Sequence, residues 1–258
     1  MFSIAALDAD QAISHPRAMA PRATKSKSAE GKAHFKPALF TFMRELAKNN
    51  NRDWFLANKE RFESDVQRPL LSFIIDVKPH LEKISKHIVA DARPTGGSMF
   101  RIYRDTRFAK DKTPYKTAAA AQFRHDAGKD VHAPGYYLHL EPGSVFFGGG
   151  IWRPDPASAG KIRDAIVARE SQWRKIVKDK NFPKLSSGHA GESLKRPPAG
   201  FDPEHPFIED IKRKDFIIGG ETSEKEACSP EFLDRFVAFC KAGAPWMDFM
   251  ATAVGHEF

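Results

Sequence analysis

Cationic side chains crowd one short stretch of this sequence. From Arg93 to Lys116, 24 residues hold seven cations (Arg93, Arg101, Arg104, Arg107, Lys110, Lys112, Lys116) and two acids (Asp105, Asp111). That stretch carries five of the chain's eight surplus positive charges. A guanidinium matches phosphate or carboxylate as a planar fork, and lysine adds a point charge. Turn formers between Asp105 and Pro114 read as a loop, where binding groups concentrate on rigid scaffolds. The ligand-binding candidates are therefore Arg101, Arg104, Arg107, Lys112 and Lys116, with Tyr103, Tyr115 and Trp152 as apolar or stacking walls. The competing reading is a solvated basic loop whose two aspartates pair internally with Arg104 or Lys112.

A second constellation lies downstream. His139 and Glu141 are two apart on a predicted strand, so both share a face with Tyr137. They suit an acid–base pair, or two metal ligands awaiting a third from His125, His132 or Asp105; plain surface residues are the bland alternative. In an enzyme, Asp105 or Glu141 is the base and His139 the acid or orienter, and hydrolysis or group transfer is the natural class. Gly148-Gly149-Gly150 reads as backbone turning tightly beside Trp152, with an anion-cradling loop as the alternative. It lacks the ending of a P-loop and the spacing of a dinucleotide fingerprint. Cys240 falls on an apolar helical stripe, the setting of an inert thiol. No metal site and no cofactor are expected.

These groups need a scaffold, and the pattern of apolar residues supplies one. The first 34 residues, with nine alanines and no sustained apolar period, read as a disordered tail. Residues 35–258 read as one globular domain. Leu39, Phe42, Met43 and Leu46 predict a helix after Pro37, and Asn51 predicts a cap for a second helix bearing Trp54, Phe55, Phe62 and Val66. A third stripe runs from Leu70 to Ile88, with Pro79 expected to kink or split it. Met99 to Arg104 alternates like a strand, and Tyr136–Glu141 with Val145–Phe147 reads as a hairpin around Pro142-Gly143-Ser144. Asp155-Pro156 caps a further helix, residues 181–206 read as a long loop, and Ser229-Pro230 starts a helix through Cys240. A short last helix covers Trp246 to Val254. The fold class is α+β: an N-terminal helical unit and C-terminal helices packed around a small, mainly antiparallel sheet.

Several of these stretches are familiar together. Phe100-Arg101-Ile102-Tyr103-Arg104-Asp105-Thr106-Arg107-Phe108 and Lys110-Asp111-Lys112-Thr113-Pro114-Tyr115-Lys116 resemble the signature of the DUF2461 family of uncharacterised proteins. Asn49 to Phe55, Asn58-Lys59, Pro134 to Gly143, Gly148 to Pro154 and Lys195 to Asp202 extend the likeness. It covers about residues 37 to 255. The resemblance implies a domain type and brings no activity, substrate or cofactor with it.

Composition narrows the function classes. The 258 residues are 41% hydrophobic and 29% charged, an ordinary globular balance. No apolar run reaches the ~20 residues of a membrane helix, so no membrane partner is expected. Two cysteines exclude a disulfide framework, and a reducing cytoplasm is their simplest setting. Three functions stay open: a pocket for a small anionic ligand bearing phosphate or carboxylate, nucleic-acid binding through the basic loop and its aromatics, and a protein-interaction domain. The local concentration of charge favours the first. Oligomeric state is not readable.

Overall fold

The structure, a computed structural model, describes residues 31–127, 133–182 and 191–258. The predicted tail falls outside it except for residues 31–34, where His34 Nε2 sits 2.8 Å from Asp76 Oδ2 and its ring packs edge-on against Phe73.

Helix α1 (Pro37–Lys48) opens with its proline in the first turn and buries Leu39, Phe40, Phe42, Met43 and Leu46. Asn51 caps α2 (Arg52–Ala57) by accepting the Trp54 N–H at 2.9 Å. The second predicted helix is a series of shorter pieces. Asn58 leaves helical geometry, α3 (Lys59–Phe62) follows, and a π-turn over Glu63–Gln67 feeds α4 (Arg68–Glu82). Phe55, Phe62 and Val66, seven and four residues apart, keep a helical repeat across the breaks and all point inward. Pro79 lies inside α4 without ending it. It frees the carbonyl of Ile75, which is on the solvent side. The helix stops at Glu82, short of the predicted Ile88, which instead opens strand β1 (Ile88–Val89).

Strands β2 (Ala119–His125), β3 (Gly135–Glu141), β4 (Ser144–Ile151) and β5 (Phe216–Thr222) complete an antiparallel meander in the order β1-β2-β3-β4-β5. The β3–β4 hairpin is the predicted one, with Leu138 opposite Phe147. The predicted strand at Met99–Arg104 forms only isolated bridges, Met99 to Ala121 and Tyr103 to Tyr115. The chain leaves the β2 edge because it pairs with its own return: Lys116 N–H donates to Ile102 O (2.8 Å) and Arg104 N–H to Pro114 O (2.9 Å).

One face of the sheet is the core. Tyr136, Leu138 and Leu140 of β3, Phe123 of β2 and Phe147 of β4 are buried there against α4 and the long helix α9 (Phe232–Val254). Phe236 of α9 lies 5.5–5.8 Å from Phe73, Phe123 and Phe147, so one ring joins both helices to the sheet. The buried Tyr136 hydroxyl donates to Cys240 O at 2.8 Å. Cys240 itself is fully buried, and burial pushes its thiol well above the usual range. The two C-terminal helices expected from sequence are one. Pro245 frees only the carbonyl of exposed Lys241, while Phe239, Gly243, Trp246, Met247 and Met250 keep a continuous buried stripe.

The glycine run is strand, not loop. Gly149 faces inward, where a Cβ would come within 3.0 Å of the Tyr136 ring, and Gly150 has φ +126° with Phe216 O where a Cβ would stand. Helix α5 (Pro156–Ala168) begins as expected, Asp155 accepting N–H groups from Ala157 and Ser158. Helix α6 (Glu170–Val177) and the short α7 (Ile208–Ile211) and α8 (Glu224–Ala227) fill the remaining edges. Of the predicted long loop, 181–206, residues 181–182 and 191–206 are described: Phe182 is helical and buried, and 191–206 carry no helix or strand apart from a bridge from Ser193 to Arg213. No helix among the described residues is long and apolar enough to cross a membrane.

Candidate functional site

The face of β3 turned away from the core holds a chain of hydrogen bonds. Alternation sends Tyr137, His139 and Glu141 outward together, half-buried, while their neighbours enter the core. The Tyr137 hydroxyl is 2.8 Å from His139 Nδ1, and His139 Nε2 is 3.1 Å from Glu141 Oε2. Thr117 Oγ1 donates to the other carboxylate oxygen at 2.7 Å. Burial pushes the Tyr137 phenol above its usual range, so it stays a donor. The proton directions follow: phenol O–H to Nδ1, and Nε2–H to the carboxylate. The hydrogen bond from His139 leads the causes that hold the Glu141 carboxyl below the usual carboxylate range, against the opposing effect of burial. His139 stacks on Phe146 with centroids 4.6 Å apart, which fixes the ring plane.

Cations border this chain on the β2 side. Lys116 Nζ lies 5.1 Å from the Phe100 ring centroid, and Phe100 packs edge-on to Tyr137. Burial, and then the charge of Arg101, lowers the Lys116 amine from its ordinary range. Beside them is a cleft of about 220 Å³ lined by Phe100, Arg101, Gln122 and Arg124 together with residues 94–99. Gln122 lies directly opposite Tyr137 in the β2–β3 register, and its Oε1 accepts from Arg124 Nε at 3.1 Å. Arg101 is exposed at the cleft wall. The cleft therefore holds two guanidinium groups, and Gln122 stands between it and Tyr137.

The rest of the basic loop is arranged differently. Arg104 pairs with Asp111 and Thr113, Arg107 with Asp105 at 2.6 Å, and Lys112 donates to Thr106 O at 2.8 Å. The Arg107 guanidinium holds the Asp105 carboxyl down to about 2, and Arg104 does the same for Asp111. These are the internal pairings of the bland reading, with Arg107 taking Asp105. Tyr115, expected as a ligand wall, is a core residue: it is 3% exposed and stacks on Phe55 at 4.2 Å. Asn50 holds its backbone on both sides. Tyr103 is half-exposed and leans on Tyr115 at 5.4 Å. Trp152 stands beyond the end of β4, facing Arg153 at 5.6 Å.

Of the three acid–base candidates, His139 and Glu141 are joined. Among the described residues no hydrogen bond or ion pair links either of them to Asp105, which is engaged with Arg107. His125 cannot complete a metal set with them, because it points to the opposite face of β2 from Ala120, the partner of His139. His132 lies outside the described residues.

A family model, the conserved hypothetical proteins DUF2461, matches residues 38–249. The chain belongs to the DUF2461 family. Comparison with curated proteins and with solved structures returns no match. The family match spans the sheet, the relay and the cleft, so in this DUF2461 chain all three belong to the domain itself.

Sequence reasoning missed Gln122, Arg124 and Thr117. The signal was faint: Gln122 and Arg124 alternate with Phe123 and His125, but the strand opens on three alanines, which have little strand preference. Strand β5 was missed for a similar reason, its paired Gly219 and Gly220.

Proposed function

We propose that this DUF2461 protein binds a small anionic ligand, bearing phosphate or carboxylate, in the cleft walled by Arg101 and Arg124, with the Tyr137–His139–Glu141 chain as its proton relay. The observation that carries this reading is the register: Gln122 of the cleft stands opposite Tyr137, the first member of the relay. The hydroxyl–imidazole–carboxylate order is that of a base whose orientation is set by an acid. An arriving anion favours a proton on His139, whose Nδ1–H then donates to the phenol oxygen. The Tyr137 O–H turns to the ligand, and Glu141 balances the imidazolium. Burial keeps Tyr137 protonated, so its O–H is offered to the ligand as a hydrogen-bond donor. Such a donor stabilises charge that builds on a leaving oxygen, as hydrolysis or group transfer requires.

The test is a thermal-shift titration with inorganic phosphate and with citrate against chloride. The expected result is a saturable, anion-selective rise in melting temperature that Arg101→Ala abolishes and Arg107→Ala leaves intact. No saturable rise, or equal loss in both variants, overturns the reading. A second reading has one observation in its favour: Phe108, 95% exposed beside Arg107 at the loop tip, is the kind of ring on which an unpaired base stacks. Binding of a short oligonucleotide that falls steeply with salt and is lost in Phe108→Ala would favour it.

A further inference from the structure

We propose that His87, His125 and Asp126 form a binding site for a divalent first-row transition metal, where β1, the end of β2 and the C-terminal residues meet. One ligand atom from each of the three lies within 4.8 Å of the others. Asp126 is central: Oδ2 is 2.9 Å from His87 Nδ1, and Oδ1 is 3.1 Å from His125 Nδ1. Tetrahedral coordination with bonds of roughly 2.0–2.1 Å sets ligand atoms ~3.4 Å apart. Small rotations of Asp126, whose side chain is 48% exposed, and of His87 at the surface edge close the set. Two imidazoles with one carboxylate suit zinc, cobalt or nickel rather than calcium or magnesium.

The proton accounting around the two rings points to a cation. His125 Nε2 contacts the Glu257 carbonyl at 2.5 Å, and a carbonyl only accepts, so Nε2 carries the proton. Its Nδ1 accepts the Ala127 N–H at 3.1 Å, so Nδ1 bears a lone pair and faces a carboxylate oxygen, lone pair against lone pair. His87 has the same conflict on its other side. If Nδ1–H donates to Asp126, then Nε2 has no proton; this buried atom has no hydrogen-bond partner, and Glu257 Oε2 stands 3.5 Å away.

A metal on the two Nδ1 atoms removes both conflicts. It takes the His125 lone pair in place of the Ala127 N–H and moves the His87 proton to Nε2, where it meets Glu257. His125 then donates its remaining N–H to a backbone carbonyl and His87 to a carboxylate, the usual support behind metal-bound imidazoles. A second proton on His125 does not resolve the conflict, because Nδ1–H would then face the Ala127 N–H, donor against donor. Lys86 Nζ, 4.0 Å from Glu257 Oε2, competes for that carboxylate without reaching the site. The fourth position opens to solvent on the Asp126 side.

The site is tested by calorimetric titration of the untagged, chelator-stripped chain with zinc chloride, repeated with cobalt(II) read by its visible absorbance. One saturable site per chain is expected. Glu257→Gln weakens it ~10-fold, as loss of a partner behind a ligating imidazole does. Asp126→Asn, a change at a largely exposed carboxylate, abolishes binding with the circular dichroism spectrum unchanged. Absence of saturable binding by both metals overturns the proposal. So does binding that survives Asp126→Asn, whatever His87→Gln does to the fold.

Discussion

The basic loop and the outer face of β3 use similar polar residues in opposite ways. In the loop, each aspartate has taken a cation of its own at the surface, as Asp105 has Arg107 and Asp111 has Arg104. On β3, fewer groups share one connected chain, and each member supports the next from Thr117 through Glu141 and His139 to Tyr137. Density of charge therefore does not gather the loop's cations around one point, whereas the outer face of β3 shares a single network. Each loop pair keeps one partner open to water, Arg107 with 66% and Asp111 with 48% of the side chain exposed, whereas His139 and Glu141 are both largely covered, so the chain on β3 loses more when any member is removed.

The sharpest way to break this contrast is to remove the middle of the chain. His139→Ala leaves a carboxylate and a phenol without their common partner, a cost of ~1–3 kcal/mol in urea denaturation. A cost no larger than that of Arg104→Ala would erase the distinction. Tyr137→Phe removes one hydrogen bond only and is expected to cost ~1 kcal/mol, while abolishing any turnover that depends on the relay.

Acid titration separates the two regions by salt. Glu141 has its folded-state pKa lowered from 4.5, so its contribution is fully present above that value and is lost as pH falls through the lower folded value. Asp105 and Asp111 follow the same sign, from 3.8 down to about 2. Raising ionic strength should shrink the aspartate part of the acid limb and spare the part that Glu141→Gln removes. Equal salt sensitivity of both parts would contradict the burial difference. The smallest effect is expected for Arg107→Ala, whose own side chain is 66% exposed: a shift in melting temperature below that of every relay variant.

Much of the scaffold was legible. Apolar stripes located α1 and α4, Asn51 and Asp155 announced their helices, and Pro142-Gly143 announced the hairpin, because caps and turns are local chemistry. The errors have a shared origin. On local grounds Pro79 kinks or splits its helix and Pro245 stands where two helices are expected, yet α4 and α9 run on because the freed carbonyls face solvent and the buried stripe continues. Met99–Arg104 has a strand's alternation but bonds mainly to its own return at Pro114–Lys116.

Within the candidate site, the period of two by itself places Tyr137, His139 and Glu141 on one face, since alternation along a strand is fixed by the backbone. Which partners face them was another matter. Gln122, with Arg124 bonded to it, comes opposite Tyr137 only through the β2–β3 register, Thr117 reaches Glu141 from the same side, and His87 meets His125 only because β1 pairs beside it while the C-terminal residues fold back. Tyr115 was read as a ligand wall and became core through Asn50 and Phe55, 65 and 60 residues away in number. Residue types and local periods decide what a segment offers; long-range pairing decides what it meets, because that is set by the burial of the whole sheet rather than by any one stretch of chain.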